Sequence, residues 1–378
     1  MDLSLSEEQE MLRDIARDFL RRECTKDLVR EMEEDEIGYP SDLWKKMADL
    51  GWMGLAIPQE YGGMGSSFLD LAVLLEEFGR ALVPGPFIPT VVYCTIPIVK
   101  HGTKEQMETY LPRIAAGELI MTLALTEPSA TFEPWGVNVR AVSDGEDYVI
   151  NGVKLFVPDA HVADLMICVA RTQEDSKDEK EGITLFLVSG KVPGISYTPL
   201  KTIASDRQYE VVFENVRVPK SNILGELDKG WPIIEDLMQY AAVAQCALML
   251  GGAHAVLEMT VDYAKERVQF GHPIGSYQSI QHKCANMLTD LEGIRFATNM
   301  AAWKLSKGLP AKIEISMAKA WCNEAYQRVC TEGHQVHGGV GLISIHDMQL
   351  YFRRAKAAEL AMGDADFHRE KVAQELGL

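Results

Sequence analysis

Two short segments carry side chains suited to gripping a phosphorylated cofactor. One is Lys265-Glu266-Arg267-Val268-Gln269-Phe270-Gly271, near the end of a long stretch of helical periodicity, and the other is Gln335-Val336-His337-Gly338-Gly339-Val340-Gly341. An arginine guanidinium binds diphosphate oxygens through a bidentate fork, and a glycine pair lets a bulky cofactor lie directly on backbone N–H groups. Each segment has a plainer reading too. Arg267 at a helix C-terminus satisfies the helix dipole, and Gly338-Gly339 stops a helix. Other chemistries leave no signature: the chain has no Walker motif, no G-x-G-x-x-G after a strand, no H-E-x-x-H and no G-x-S-x-G elbow. The seven cysteines, Cys24, Cys94, Cys168, Cys246, Cys284, Cys322 and Cys330, are scattered and never form C-x-x-C. That argues against a disulfide framework or a zinc knuckle and predicts mostly buried free thiols.

The elements that must position these residues change character along the chain. With 378 residues, 47% hydrophobic and 24% charged, it is long enough for two or three globular domains. Lys+Arg 37 against Asp+Glu 55 leaves a net charge of −18, which opposes nucleic-acid or anionic-membrane binding. The N-terminus lacks a signal-peptide pattern, and the longest apolar stretch, residues 241–257, is broken by Gln245 and His254. A cytoplasmic protein without membrane insertion is expected. Ser6-x-x-Gln9 resembles a capping box ahead of an apolar face (Leu12, Ile15, Ala16, Phe19, Leu20), and helical patches follow at 43–50, 68–82 and 104–116. The turn formers of residues 57–65 predict a loop. Strand-rich runs begin near Ile120, with Asn151-Gly152 predicting a hairpin between 148–150 and 153–157, and further strands at 183–188 and 210–218. The charged stretch 173–181 is expected to be a solvated loop. Helical periodicity returns at 231–267, 278–305 and 313–329, with breaks at Pro273 and Pro310. The expectation is an α+β fold with an N-terminal helical domain (1–119), a middle β-domain (120–228) and a C-terminal helical bundle (229–378).

In this order the segments resemble the acyl-CoA dehydrogenase family of flavoenzymes. The resemblance runs through Ile57-Pro58-Gln59-Glu60-Tyr61-Gly62-Gly63, Tyr110-Leu111-Pro112-Arg113, Leu125-Thr126-Glu127-Pro128 and Val216-Arg217-Val218-Pro219. It continues through the Arg267 and Phe270 segment, Gln278-Ser279-Ile280-Gln281-His282, the 335–341 glycine loop and Arg353-Arg354-Ala355-Lys356. It implies a β-barrel-like middle domain, a four-helix C-terminal domain, and FAD bound with help from a neighbouring subunit in homo- or heterotetramers built from dimers. Thr126 and Phe156 match positions beside the flavin ring. Arg267, Phe270, Gln281, Gln335, Gly338 and Gly339 match positions holding the ADP half in the partner's site. The implied chemistry is α,β-desaturation of an acyl-CoA: a carboxylate takes the α-proton while the β-hydrogen leaves as hydride to flavin N5. Electron-transferring flavoprotein is the implied acceptor.

The chain departs from that pattern where the chemistry is done. Aligning on Arg353, Ala355 and Lys356 puts Met362, followed by Gly363 and Asp364, at the family's usual glutamate base, and the alternative base site falls at Ala241, beside Ala242. The usual Trp-Ile-Thr is Phe156-Val157-Pro158, and proline supplies neither hydroxyl nor N–H. The usual Gly-Ala-Gly-Ser-Asp is Ser129-Ala130-Thr131-Phe132-Glu133. Two carboxylates are candidate replacements. In an unbroken helix Glu359 lies about 60° around and about 4.5 Å along from Met362, and Asp364 would be reoriented if Gly363 breaks the helix. Surface or packing roles are the alternatives for both, as for His337 and His368. Two hypotheses follow: a self-sufficient dehydrogenase for a branched, cyclic or otherwise unusual acyl-CoA, with Asp364 or Glu359 as base, and a catalytically silent subunit that completes a partner's FAD site. A third, oxygenase or elimination chemistry on the same scaffold, needs no base at that place.

Overall fold

The computed structural model describes residues 5–173 and 177–378. Six helices come first: α1 (Glu7–Glu23), α2 (Lys26–Glu34), α3 (Ser41–Asp49), α4 (Phe68–Ala81), α5 (Thr95–His101) and α6 (Lys104–Ala115). Strands β1 (Met121–Ala124), β2 (Arg140–Asp144), β3 (Asp147–Pro158), β4 (Leu165–Arg171), β5 (Ile183–Ser189), β6 (Ile195–Leu200), β7 (Gln208–Pro219) and β8 (Ile223–Leu224) follow. Helix α7 (Trp231–Glu266) leads to the two-residue strands β9 (Val268–Gln269) and β10 (His272–Pro273), then α8 (Gln278–Ser306), α9 (Lys312–His337), α10 (Met348–Leu360) and α11 (Ala365–Glu375). The α+β class and its helix–sheet–helix order are those expected.

Helix starts follow the local chemistry of the chain. Ser6 Oγ accepts from Gln9 N at 3.2 Å while Gln9 Oε1 accepts from Ser6 N at 3.0 Å, and Thr103 and Gln106 repeat this reciprocal cap at α6. The chain forms two compact units: residues up to 31 with 68–83 and 242–378, and residues 32–67 with 84–241. In the first, α1 and α4 join the C-terminal helices. Arg17 forks onto the buried carboxylate of Glu77 at 2.6 and 3.0 Å, tying α1 to α4. Helix α7 is apolar and long enough by composition to cross a membrane, yet 78% of its most apolar window is buried inside the protein, as in a core helix.

The second unit is organised by an eight-stranded sheet of order β6-β7-β3-β2-β4-β5-β8, with β1 added parallel to β4. Its core is apolar, with Ile150, Phe186, Val211 and Phe213 at 0–1% exposure. One expectation needs correcting. Asn151-Gly152 does not turn a hairpin but lies within β3, where the register against β7 slips between Ile150 and Gly152. The tight turn falls earlier, with Asp144 paired to Asp147 and Gly145 at φ 65°. Gly152 has φ 140°, and a Cβ there would come within 3.1 Å of the Val139 backbone, so glycine is required by a bulge rather than by a turn. The charged stretch 173–181 lies partly outside the described residues. All seven cysteines are free, six buried and Cys284 half-buried.

Candidate functional site

In the sheet unit the candidate flavin face is made where β1 ends and β3 bulges. Past Ala124 the chain runs Leu125-Thr126-Glu127, and the Thr126 carbonyl accepts from Leu155 N at 2.8 Å. The register of β3 against β7 slips again between Lys154 and Val157. Within that bulge Phe156 takes φ 52° and stands 51% exposed. Beneath it Lys154, wholly buried, donates to Glu127 Oε1 at 2.6 Å and to the Leu125 carbonyl at 3.0 Å. Glu127 also accepts from Asn138 N at 2.8 Å and Val139 N at 3.0 Å. Sequence reasoning did not single out this ion pair, because its members lie 27 residues apart.

In the helical unit, α7 ends with Arg267 N donating to the Tyr263 carbonyl, and a small arm follows. Phe270 and Gly271, with φ 54° and 82°, turn β9 back onto β10, leaving Phe270 91% exposed. Gln281 Nε2 closes on the Gly275 carbonyl at 3.0 Å. The glycine loop starts later than its motif: Gln335 and His337 belong to the last turn of α9, and Gly338, at φ 58° and ψ −141°, caps it. The imidazole of His337 stacks on Tyr263 at 4.5 Å, which ties the root of the arm to the root of the glycine loop. His337 Nδ1 lies 2.8 Å from the Gly333 carbonyl, so it carries the proton, and burial holds the ring below its ordinary pKa.

These residues suit a dinucleotide. Arg267, Phe270, Gln281, Gln335, Gly338 and Gly339 are all exposed. A Cβ added at Gly338 or Gly339 would meet nothing within 4 Å, so their backbone is open to a ligand. Together they expose a cation, a flat ring, two amides and bare peptide groups. Half-buried Thr126 and the exposed Phe156 form the candidate face of the sheet unit. Pro158, by contrast, offers no donor.

The place of the expected base is built differently from the helical projection. Helix α10 stops at Leu360, Ala361 is extended, and Met362 has φ 58°, so Glu359 and Met362 do not share an unbroken helix. The side chain of Glu359 instead pairs with Lys356 at 2.7 Å. The helix therefore ends before Gly363 rather than at it, where the sequence reading expects the break; Gly363 has φ 99°, and a Cβ there would fall 2.4 Å from the Phe367 ring. Asp364 thereby becomes the N-cap of α11, with Oδ1 accepting from Phe367 N at 2.9 Å. Met362 itself is buried, as are Ala241 and Ala242.

Three buried side chains hold this turn by its backbone. Lys319, fully buried, donates to the carbonyls of Ala358 at 3.0 Å, Glu359 at 3.3 Å and Gly363 at 3.0 Å, and to Asn323 Oδ1 at 2.6 Å. Asn323 Nδ2 donates to the Gly363 carbonyl at 3.3 Å, and His368 Nε2 lies 2.9 Å from the Met362 carbonyl. Burial pushes Lys319 down to about 8. Burial, and then the Lys319 charge, bring His368 down to about 4, so it stands neutral with its Nε2 proton on Met362 O.

Comparison with known proteins places this α+β chain among the flavoproteins that act on acyl-CoA. Three family models match in order: the acyl-CoA dehydrogenase N-terminal domain over residues 6–118, the middle domain over 122–216 and the C-terminal domain over 228–377. The chain belongs to the acyl-CoA dehydrogenase family. It is 33% identical over 381 residues to the probable acyl-CoA dehydrogenase YngJ of Bacillus subtilis, covering 100% of both chains. Among solved structures it resembles butyryl-CoA dehydrogenase from Megasphaera elsdenii, with a TM-score of 0.92, 30% identity and 100% of both chains covered. It also resembles a chain of the ChsE4-ChsE5 complex from Mycobacterium tuberculosis, with a TM-score of 0.91, 29% identity and coverage of 100% of this chain and 99% of that one. The family consists of FAD-binding oxidoreductases that act on CH–CH bonds.

Proposed function

We propose that this chain is the base-lacking subunit of a heteromeric FAD-dependent acyl-CoA dehydrogenase, which carries out α,β-desaturation of an acyl-CoA thioester. The observation that carries this reading is the turn after α10. Its mount is intact, but the side chain on it is the buried thioether of Met362, which takes no proton at neutral pH. The carboxylates on either side serve elsewhere, Glu359 in a pair with Lys356 and Asp364 in the cap of α11. The arm and glycine loop, by contrast, keep every group proposed to reach into a partner's site. The two-component ChsE4-ChsE5 assembly among its structural relatives supports the same reading. FAD, when bound, supplies the hydride acceptor. Arg267 and the Gly338-Gly339 backbone would hold the diphosphate of the FAD in the partner's site, with Phe270, Gln281 and Gln335 on the rest of its ADP half, while Thr126 and Phe156 would face the ring of the FAD in this chain's own site. A cytoplasmic setting, tetramers built from dimers and electron-transferring flavoprotein as acceptor complete the proposal.

Asp364 favours a second reading. It is exposed and caps α11 through Oδ1, and in this reading its second oxygen is the base for an unusual acyl-CoA. Titration of the FAD-reconstituted chain, purified alone, with acyl-CoA thioesters separates the two. The silent-subunit reading expects no bleaching of the flavin until a relative carrying the glutamate is co-expressed. Bleaching by the chain alone, abolished by Glu359→Gln with Asp364→Asn, would instead establish the second.

A further inference from the structure

We propose that the buried Glu127–Lys154 ion pair is a positioning device that sets the Thr126 and Phe156 surface in the conformation that receives the flavin ring. The inference rests on FAD being seated on this face and holds whether or not the chain has a base of its own.

The pair joins two short segments rung by rung. Residues 125–127 face residues 154–156 through Lys154 Nζ to the Leu125 carbonyl at 3.0 Å, Leu155 N to the Thr126 carbonyl at 2.8 Å, and Lys154 Nζ to Glu127 Oε1 at 2.6 Å. Every rung flanks or includes a residue of the candidate flavin face. The Glu127 carboxylate, 4% exposed, then reaches across to Asn138 N and Val139 N and fixes the far end of the loop that follows Thr126. Removing two charges from water costs more than an apolar pair of equal volume would, so burial energy alone does not account for an ion pair here. What charge-assisted bonds add is direction, because one carboxylate gathers three donors at fixed angles.

The backbone above the pair is strained in the same sense. Phe156 occupies φ 52°, a region unfavourable for a bulky residue, inside a bulge that leaves its ring 51% exposed. In a free-standing sheet an aromatic residue held this way gains nothing, whereas as a platform for a flat ring it has a purpose. Because Lys154 and Glu127 neutralise one another, they hold the platform without presenting net charge to a redox-active group.

The test uses the full-length chain, stripped of FAD and titrated with FAD by flavin fluorescence, with the visible spectrum of the bound form and the thermal unfolding of the apo form recorded in parallel. The double variant Glu127→Met, Lys154→Met removes both charges together. The expected result is a folded variant with a lowered unfolding temperature, because the Leu125 carbonyl and the Val139 N–H lose their partners, together with FAD affinity at least tenfold weaker and bound-flavin bands shifted toward those of free FAD. A folded double variant with wild-type affinity and band shape overturns the proposal, as does a wild-type chain that takes up no FAD. Should the double variant not fold, Glu127→Gln decides. Weakened FAD binding at unchanged unfolding temperature supports positioning, and unchanged binding refutes it. None of these readouts involves acyl-CoA, so failure here is distinguishable from failure of the silent-subunit reading, which turns on bleaching.

Discussion

Replacing Lys319 with methionine tests how the turn after α10 is held. The substitution strands the Ala358 and Glu359 carbonyls and Asn323 Oδ1, while the Gly363 carbonyl keeps its bond from Asn323. Unpaired buried acceptors cost about 1 kcal/mol or more each, partly offset by no longer burying a cation, so a net loss of about 1–3 kcal/mol is expected near neutrality. The pH dependence is more diagnostic. Burial lowers Lys319 from 10.5 to about 8, a penalty on the charged form of about 3 kcal/mol. The folded state therefore binds this proton more weakly than the unfolded chain. Below about pH 8 both states carry it and the penalty is fully present; as pH rises from 8 toward 10.5 the folded state releases it first and stability is regained. Urea unfolding of wild type and Lys319→Met at pH 7.5 and 9.5 isolates the term, since groups common to both proteins cancel in the difference. The wild-type advantage is expected to grow by about 2 kcal/mol between the two pH values. A difference flat with pH would refute a protonated, buried Lys319 as the clamp.

The remaining predictions concern cofactor grip and the base. Arg267→Ala is expected to weaken FAD binding at least tenfold; a variant that loses only a few tenths of a kcal/mol of stability and keeps its FAD would leave Arg267 with the helix dipole alone. Gly338→Ala should lower both unfolding temperature and FAD affinity, because φ 58° with ψ −141° is strained by about 1–3 kcal/mol for alanine, whereas Gly339→Ala should affect FAD affinity only. Asp364→Ala should cost about 1 kcal/mol as a lost N-cap while Asp364→Asn costs almost nothing; loss of turnover in the folded asparagine variant would mark Asp364 as a base. Met362→Glu should confer acyl-CoA-dependent bleaching on the FAD-loaded chain by itself, and a folded, flavin-bound variant that stays unbleached would show that the missing carboxylate is not what silences it.

What the sequence made legible was local or periodic. The capping box at Ser6, the apolar faces of the long helices and the turn-rich loop near Gly62 depend on residues within a few positions of one another. The Arg267–Phe270 and 335–341 segments stood out because arginine, phenylalanine and paired glycines are unusual there, whereas the β9–β10 pairing that makes the first an arm did not. Asn151-Gly152 misled because its turn preference is local, whereas pairing of β3 with β7 on both sides of it is not: a bulge satisfies glycine and preserves the sheet. Glu127, Lys154 and Lys319 were invisible as anchors for a related reason. A charged residue in a strand or helix reads as solvent-facing until the fold brings buried partners to it from 27 or 44 residues away.

The anchoring of the turn after α10 does not depend on the side chain at 362. Lys319, Asn323 and His368 grip the carbonyls of Ala358, Glu359, Met362 and Gly363, and none of these bonds involves the side chain at 362. Asp364 must still start α11, and Gly363 must still pass against Phe367, so the backbone path is fixed by the joining of α10 to α11. A glutamate at 362 would be kept there by chemistry alone. In the subunit reading proposed above a partner supplies that chemistry, and methionine fills the position without breaking any bond of the turn, whose φ of 58° at 362 is set by the scaffold.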